Sequence, residues 1–309
     1  MKILFYTGKG GVGKSTMSAA SAWQLSRDHR VLIVSLDPAH NLGDIFGVTL
    51  NDKTYRVSDT LTLKEVDLQK LSKEYLTREI DVLTGTYSYL KAINLDNYFS
   101  ILKYSPGIEE YALLTSIEDT IRNESEFDYI IFDTPPTGLT LRFLALPRVT
   151  ITWIERLSQI RRMILEKRYT IRRLRGPLDD QETLLNYRED DDEALNRLKR
   201  LDKNYESLTT ILQGPQCGVV LVYNPDMLSL RESERLMEGL RDLKLPLRLL
   251  INNKVTADNV EMADYVDTAM VRFAGTTVPV QRVAISPALL ERGKSTLYDI
   301  PEDIVTPVA

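Results

Sequence analysis

The sequence predicts an α/β fold, a mostly parallel sheet flanked by helices, with an inserted helical subdomain. Three observations carry this. Short strand candidates alternate with helical patterns along most of the chain. Several of those strands are continuous apolar runs, as expected of strands buried on both faces. Polar or acidic residues stand where the strands end, the edge at which such sheets hold ligands.

Lys2–Thr7 reads as the first strand and runs straight into a glycine loop. A helix follows from about Lys14 to Arg27, and Val31–Ser35 is the second strand. Further strands are expected at Tyr129–Asp133, Gly218–Tyr223, Leu247–Asn252 and Val278–Val283. Two helical stretches interrupt the alternation. Leu68–Asn123 is broken at Pro106-Gly107, and Ile151–Leu212 carries a basic segment followed by an acidic one. A chain of 309 residues fits two average domains or one large unit with insertions. We read one domain over 1–309, with insertions at about 68–123 and 151–212 forming a client or partner subdomain.

Composition narrows the function. Hydrophobic residues make up 43% and charged residues 27%, which excludes wholesale disorder. The net charge of −5 argues against a broad nucleic-acid surface. Cys217 is the single cysteine, so a disulfide framework and a multi-cysteine metal or arsenite site are both excluded within the chain. The longest uncharged run, Ser207–Pro225, is broken by Gln213-Gly214-Pro215-Gln216 and reads as a helix end, a turn and a strand, not a membrane span. The opening strand leaves no room for a secretory signal, so a reduced, cytoplasmic setting without membrane insertion is expected.

The loop Gly8-Lys9-Gly10-Gly11-Val12-Gly13-Lys14-Ser15 fits G-x-x-x-x-G-K-[ST], between a strand and a helix as that pattern requires. Its glycines let backbone N–H groups wrap an anion, and the helix N-terminus adds positive potential. Lys14 is expected on the β- and γ-phosphates of a nucleotide, and the Ser15 hydroxyl on Mg²⁺. An ordinary phosphate loop has no need of Lys9. A lysine there is placed to reach a nucleotide in a facing subunit and neutralise transition-state charge; the alternative is a solvated loop lysine.

Two aspartates follow strands. Asp37, in Ser35-Leu36-Asp37-Pro38, places a carboxylate at the ligand edge, suited either to orienting an attacking water or to capping the next turn. Asp133, in Asp133-Thr134-Pro135-Pro136-Thr137-Gly138, stands where a magnesium-supporting carboxylate is expected. The segment after it suits a switch that responds to the γ-phosphate.

Here the sequence resembles the deviant-phosphate-loop ATPases of the arsenite-pump and tail-anchored-protein targeting type. The blocks Gly8–Thr16, Asp37–Asp44, Asp133–Pro147 and Leu228–Leu240 carry the likeness, with Pro106-Gly107-Ile108-Glu109-Glu110 as a further segment. The resemblance implies the P-loop NTPase fold, ATP and Mg²⁺ as cofactors, and a homodimer. It implies that Lys9 acts across the dimer and that Lys14, Ser15 and Thr16 contact nucleotide and magnesium. Asp37 is similar to the water-activating aspartate, and Asp133 opens the second switch. Asn252 falls where the family contacts adenine, Asp226 where relatives carry a glutamate near the nucleotide, and Pro279 in the adenine loop. Relatives often carry a CxxC pair that binds zinc between subunits. This chain lacks it, so no zinc is expected and the dimer is held some other way.

The helical stretches bear on what the ATPase drives. Ile151, Ile154, Leu157, Ile160, Ile164, Ile171 and Leu174 mark one apolar helix face with arginines opposite. Tyr87, Tyr89, Leu90, Ile93, Tyr98, Phe99, Ile101, Leu102 and Tyr104 form a second cluster. Together they suit a groove for a hydrophobic segment, or else pack on each other. A promiscuous groove would favour methionine, yet only Met163 lies in either stretch. The expected function is a nucleotide-driven dimer that targets hydrophobic segments such as tail anchors. The alternatives are the ATPase of an anion or arsenite export pump and a regulatory or positioning nucleotide switch. The short acidic ending Ser295–Asp303 disfavours the last.

Overall fold

The structure is a computed structural model that describes residues 1–38, 41–50, 54–86, 105–175, 188–275 and 277–285. The aromatic cluster read at Tyr87–Tyr104, residues Ala39 and His40 of the second block, the acidic residues Asp179, Asp180 and Glu182, and the ending Ser295–Asp303 lie outside the described residues.

In chain order the elements are β1 (Lys2–Thr7), α1 (Lys14–Leu25), β2 (Val31–Ser35), α2 (Asn41–Phe46), β3 (Tyr55–Arg56), β4 (Leu61–Glu65), α3 (Leu68–Thr86) and α4 (Ile108–Asn123). Then follow β5 (Tyr129–Asp133), α5 (Thr137–Arg175), α6 (Glu193–Gln213), β6 (Cys217–Tyr223), α7 (Met227–Asp242), β7 (Leu247–Val255), α8 (Val260–Ala274) and β8 (Val280–Ala284). The strands form one sheet in the order β3-β4-β2-β5-β1-β6-β7-β8. All pairings are parallel except β3 with β4.

The central strands are buried along their whole length, as their apolar runs require. Side-chain alternation divides the core into two layers. Ile3 and Phe5 of β1 point into one layer with Leu113, Leu144, Leu208, Leu236 and Met270 of α4 to α8. Leu4 and Tyr6 point into the other with Met17, Ala19 and Ala22 of α1 and Leu42 of α2. Parallel strands connected by helices bring their C-terminal ends to one edge, so Gly8, Leu36, Thr134 and Asn224 all leave the sheet on the same side.

Three sequence expectations need correction. The hairpin β3–β4 was not anticipated: β3 is two exposed residues, too short for any pattern. The strand expected at 278–283 runs from Val280 to Ala284. The helix expected to begin at Ile151 begins at Thr137 and continues through Pro147, which sits inside it.

Candidate active site

The loop after β1 has the backbone that its glycines were expected to permit. Gly8 has φ +151°, and a Cβ there would lie 2.1 Å from the Val222 carbonyl oxygen. Gly13 has φ +95°, and a Cβ would lie 2.4 Å from Asn253 Nδ2. Both positions therefore demand glycine. Gly13 is also the N-cap of α1, and no side chain caps it. The first N–H groups of the helix are thus left for an anion.

Lys14 begins α1 and is 5% exposed, while its ammonium donates to the Lys9 carbonyl at 3.3 Å. Burial lowers its pKa, and the Asp133 and Asp37 carboxylates pull it back up. Those three residues come from β5, from the turn after β2 and from the loop after β1, so the sheet edge assembles what the sequence separates. Ser15 and Thr16 are half-buried in the first turn of α1.

Asp133 ends β5 and is fully buried. Neither of its carboxylate oxygens has a well-formed hydrogen bond. Burial raises its pKa to about 7, and the nearby Ser15 hydroxyl and Lys14 ammonium only partly offset this. A buried carboxylate without partners needs an explanation. It is not alone: Thr7 Oγ1, Ser35 Oγ, Asn224 Oδ1 and Asn252 Oδ1 are also buried and unpartnered, all at this edge of the sheet. An orphaned carboxylate beside a serine hydroxyl suits a hard cation such as Mg²⁺, which keeps water and phosphate oxygens as its remaining ligands.

The segment after Asp133 is pinned at its start. Thr134 Oγ1 donates to the Tyr6 carbonyl at 2.8 Å, Thr140 Oγ1 donates to the Pro135 carbonyl at 2.7 Å, and Leu36 N–H donates to the Asp133 carbonyl at 2.8 Å. It passes directly into α5, which begins at Thr137. Lys9 lines an open cleft of ≈ 570 Å³ together with Gly10, Pro136, Thr137, Glu232 and Arg235.

The remaining candidate residues are placed differently. Asn252 is fully buried in β7, and its Nδ2 donates to Asp267 Oδ1 at 2.7 Å. Tyr223 Oη and Arg282 Nε donate to the same carboxylate. Asp226 caps α7, accepting from Ser229 N–H at 2.7 Å. Pro279 precedes β8, three strands from β1, and its carbonyl accepts from Leu250 N–H at 3.0 Å. The hydrogen bonds of Asp226 therefore lie at the start of α7, and that of Pro279 between β7 and the start of β8.

Two residues that sequence reasoning passed over do meet the loop. Asn253 Nδ2 donates to the Val12 carbonyl at 2.8 Å, and Lys254 Nζ donates to the Gly11 carbonyl at 2.7 Å. Their only sequence signal is a polar pair at the end of an apolar run.

Comparison with known proteins agrees with this geometry. The model of anion-transporting ATPases matches residues 1–270. Putative arsenical pump-driving ATPase 2 of Aquifex aeolicus is 33% identical over 84% of this chain and 82% of its own length. Putative arsenical pump-driving ATPase 1 of the same organism is 32% identical over 84% of this chain but only 65% of its own, longer sequence. The ATPase get3 of Schizosaccharomyces pombe is 31% identical over 84% of this chain and 74% of its own length.

Proposed function

The chain belongs to the anion-transporting ATPase family, and from that premise we propose a nucleotide-driven dimer switch that holds hydrophobic client segments, such as the membrane helices of tail-anchored proteins. Its reaction is the hydrolysis of ATP to ADP and phosphate. The loop N–H groups and Lys14 take the phosphates. Asp37 orients the attacking water, and Lys9 of one subunit neutralises charge on the nucleotide of the other. Ser15 and Asp133 would hold Mg²⁺, which supplies charge neutralisation across the phosphate oxygens.

One observation carries the client reading. The distal part of α5 leaves an apolar row in solvent, not the expected face entire, since Ile154 is buried and Ile151 half-buried: Trp153 is 63% exposed, Leu157 47%, Ile160 50%, Ile164 39%, Ile171 45% and Leu174 80%. Spacings of 4, 3, 4, 7 and 3 put these side chains along one face. From Trp153 to Leu174 the row runs about 32 Å at helical rise, close to the ~30 Å of a bilayer's hydrocarbon core. A solvent-facing row of this length marks an interaction surface. Because α5 grows directly out of the segment that follows Asp133, a change at the γ-phosphate has a rigid element through which to reach that row.

The test is protection of a tail-anchor segment from aggregation by the full chain without nucleotide, with Mg·ADP and with Mg·ATP. Protection that depends on the nucleotide is expected; none in any state would contradict the reading. The names of the Aquifex relatives favour a second reading, the motor of an arsenite pump. Against it, Cys217 is the single cysteine, is 2% exposed and has its thiol pKa pushed up to about 12 by burial. Arsenite-stimulated turnover would restore that reading.

A further inference from the structure

The contacts of β7 with the phosphate loop are built by an irregular stretch of backbone. In a regular strand the side chains of Asn253 and Lys254 would point to opposite faces of the sheet. They do not, because Lys254 has φ +62°, in the left-handed region that non-glycine residues avoid. The pairing of β7 with β8 shifts register between Asn252 and Val255 at the same place. Local hydrogen bonds hold the distortion: Lys254 N–H donates to Asn253 Oδ1 at 2.9 Å, and Asn259 Nδ2 donates to the Lys254 carbonyl at 3.0 Å. Strain held this way at a site calls for a functional account.

The consequence follows from the planarity of the peptide group. In a trans peptide the C=O of one residue and the N–H of the next point in opposite directions. Lys254 Nζ draws the Gly11 carbonyl outward, so the Val12 N–H turns to the inner side of the loop. Asn253 Nδ2 draws the Val12 carbonyl outward, so the Gly13 N–H does the same. Two successive N–H groups aimed inward are the donors that a phosphate oxygen needs. We propose that Asn253 and Lys254 are positioning residues for the phosphate loop: they orient the Val12 and Gly13 amides toward the nucleotide's phosphates without touching the nucleotide. This rests on the reading of the loop as a phosphate site.

Three variants of the full chain test it. Asn253→Asp keeps the shape but removes the donor, Lys254→Met keeps the stem but removes the ammonium, and Lys254→Arg keeps a donor. The measurements are Mg·ADP affinity by calorimetry, the melting temperature without nucleotide, and hydrogen exchange of the loop amides without nucleotide. Asn253→Asp and Lys254→Met are expected to weaken Mg·ADP by about tenfold each, the effect of losing one such bond. Loop amides should exchange faster in both variants. Lys254→Arg should restore affinity and exchange, and the melting temperature of the Lys254 variants should stay near that of the parent chain. Mg·ADP affinity of Lys254→Met within twofold of the parent would overturn the proposal, as would unchanged loop exchange. If the parent itself fails to bind Mg·ADP, the phosphate reading falls and the proposal with it.

Discussion

The sheet edge and the distal part of α5 are unsatisfied in opposite ways. At the edge it is buried polar atoms that lack partners: the Asp133 carboxylate oxygens, Thr7 Oγ1, Ser35 Oγ, Asn224 Oδ1 and Asn252 Oδ1. On distal α5 Arg161 and Arg162 reach Asp192 and Glu189, and it is apolar side chains that stand in water. Buried polar atoms without partners and exposed apolar rows are both costly. The remedies proposed for the two deficits differ accordingly, a charged ligand in one place and an apolar segment in the other. The residues 134–136 are all that separate Asp133 from the start of α5, so the two places are linked by covalent backbone.

The largest break in this comparison is expected at the edge. Asp37→Asn should lower kcat by about 10²–10⁴-fold, the range for loss of a group that orients a reacting proton, with ATP affinity little changed. Steady-state turnover and calorimetry together check this, and normal turnover would assign the water to another group.

The next effect belongs to the helices. Asp192 is the N-cap of α6, its carboxylate is 1% exposed, and it accepts from Arg161 Nε and Nη2 and from Leu195 N–H. Asp192→Ala removes both the cap and the joint between α5 and α6, and should cost roughly 3 kcal/mol in urea unfolding. The hydrogen bonds from Arg161 hold the Asp192 carboxyl below the usual carboxylate range. Its pKa is therefore lower folded than unfolded. The stability it contributes is present above about pH 4, the unfolded value, and lost as pH falls through the folded one. A urea midpoint followed from pH 6 down to pH 3 should fall less in Asp192→Asn than in the parent chain.

The smallest effect on stability should come from the apolar row. Ile160→Glu and Ile164→Glu lie on the surface, so each should change stability by no more than about 0.5 kcal/mol. Both should nevertheless abolish protection of a tail-anchor segment while ATP turnover persists. Loss of protection only when the fold is lost would show that the row is packing surface.

Much of the sheet was legible because its central strands are buried on both faces and therefore apolar throughout: β1, β2 and β5 were expected at Lys2–Thr7, Val31–Ser35 and Tyr129–Asp133, where they stand. The glycine loop was legible because its pattern lies in contiguous residues, and its backbone at Gly8 and Gly13 is one that only glycine accommodates. Asn253 and Lys254 were not, since which of two adjacent asparagines faces the loop depends on strand register and on one left-handed residue. The resemblance places Asp226 near the nucleotide; that it caps α7 is seen only in the bond it accepts from Ser229 N–H. The start of α5 was hidden by Pro147, which ordinarily argues against a helix interior.

The most direct test of the link between the two regions uses the chemistry of the chain itself. Cys217 is buried with its thiol pKa raised, so a cysteine introduced at Ile160 would be the reactive one. An environment-sensitive dye on Ile160→Cys should shift to the blue when a tail-anchor segment is added, by an amount that differs between Mg·ATP and Mg·ADP. A dye on Glu155→Cys, an exposed position off the row, should not shift. No shift at Ile160 in any nucleotide state, or equal shifts at both positions, would contradict the account.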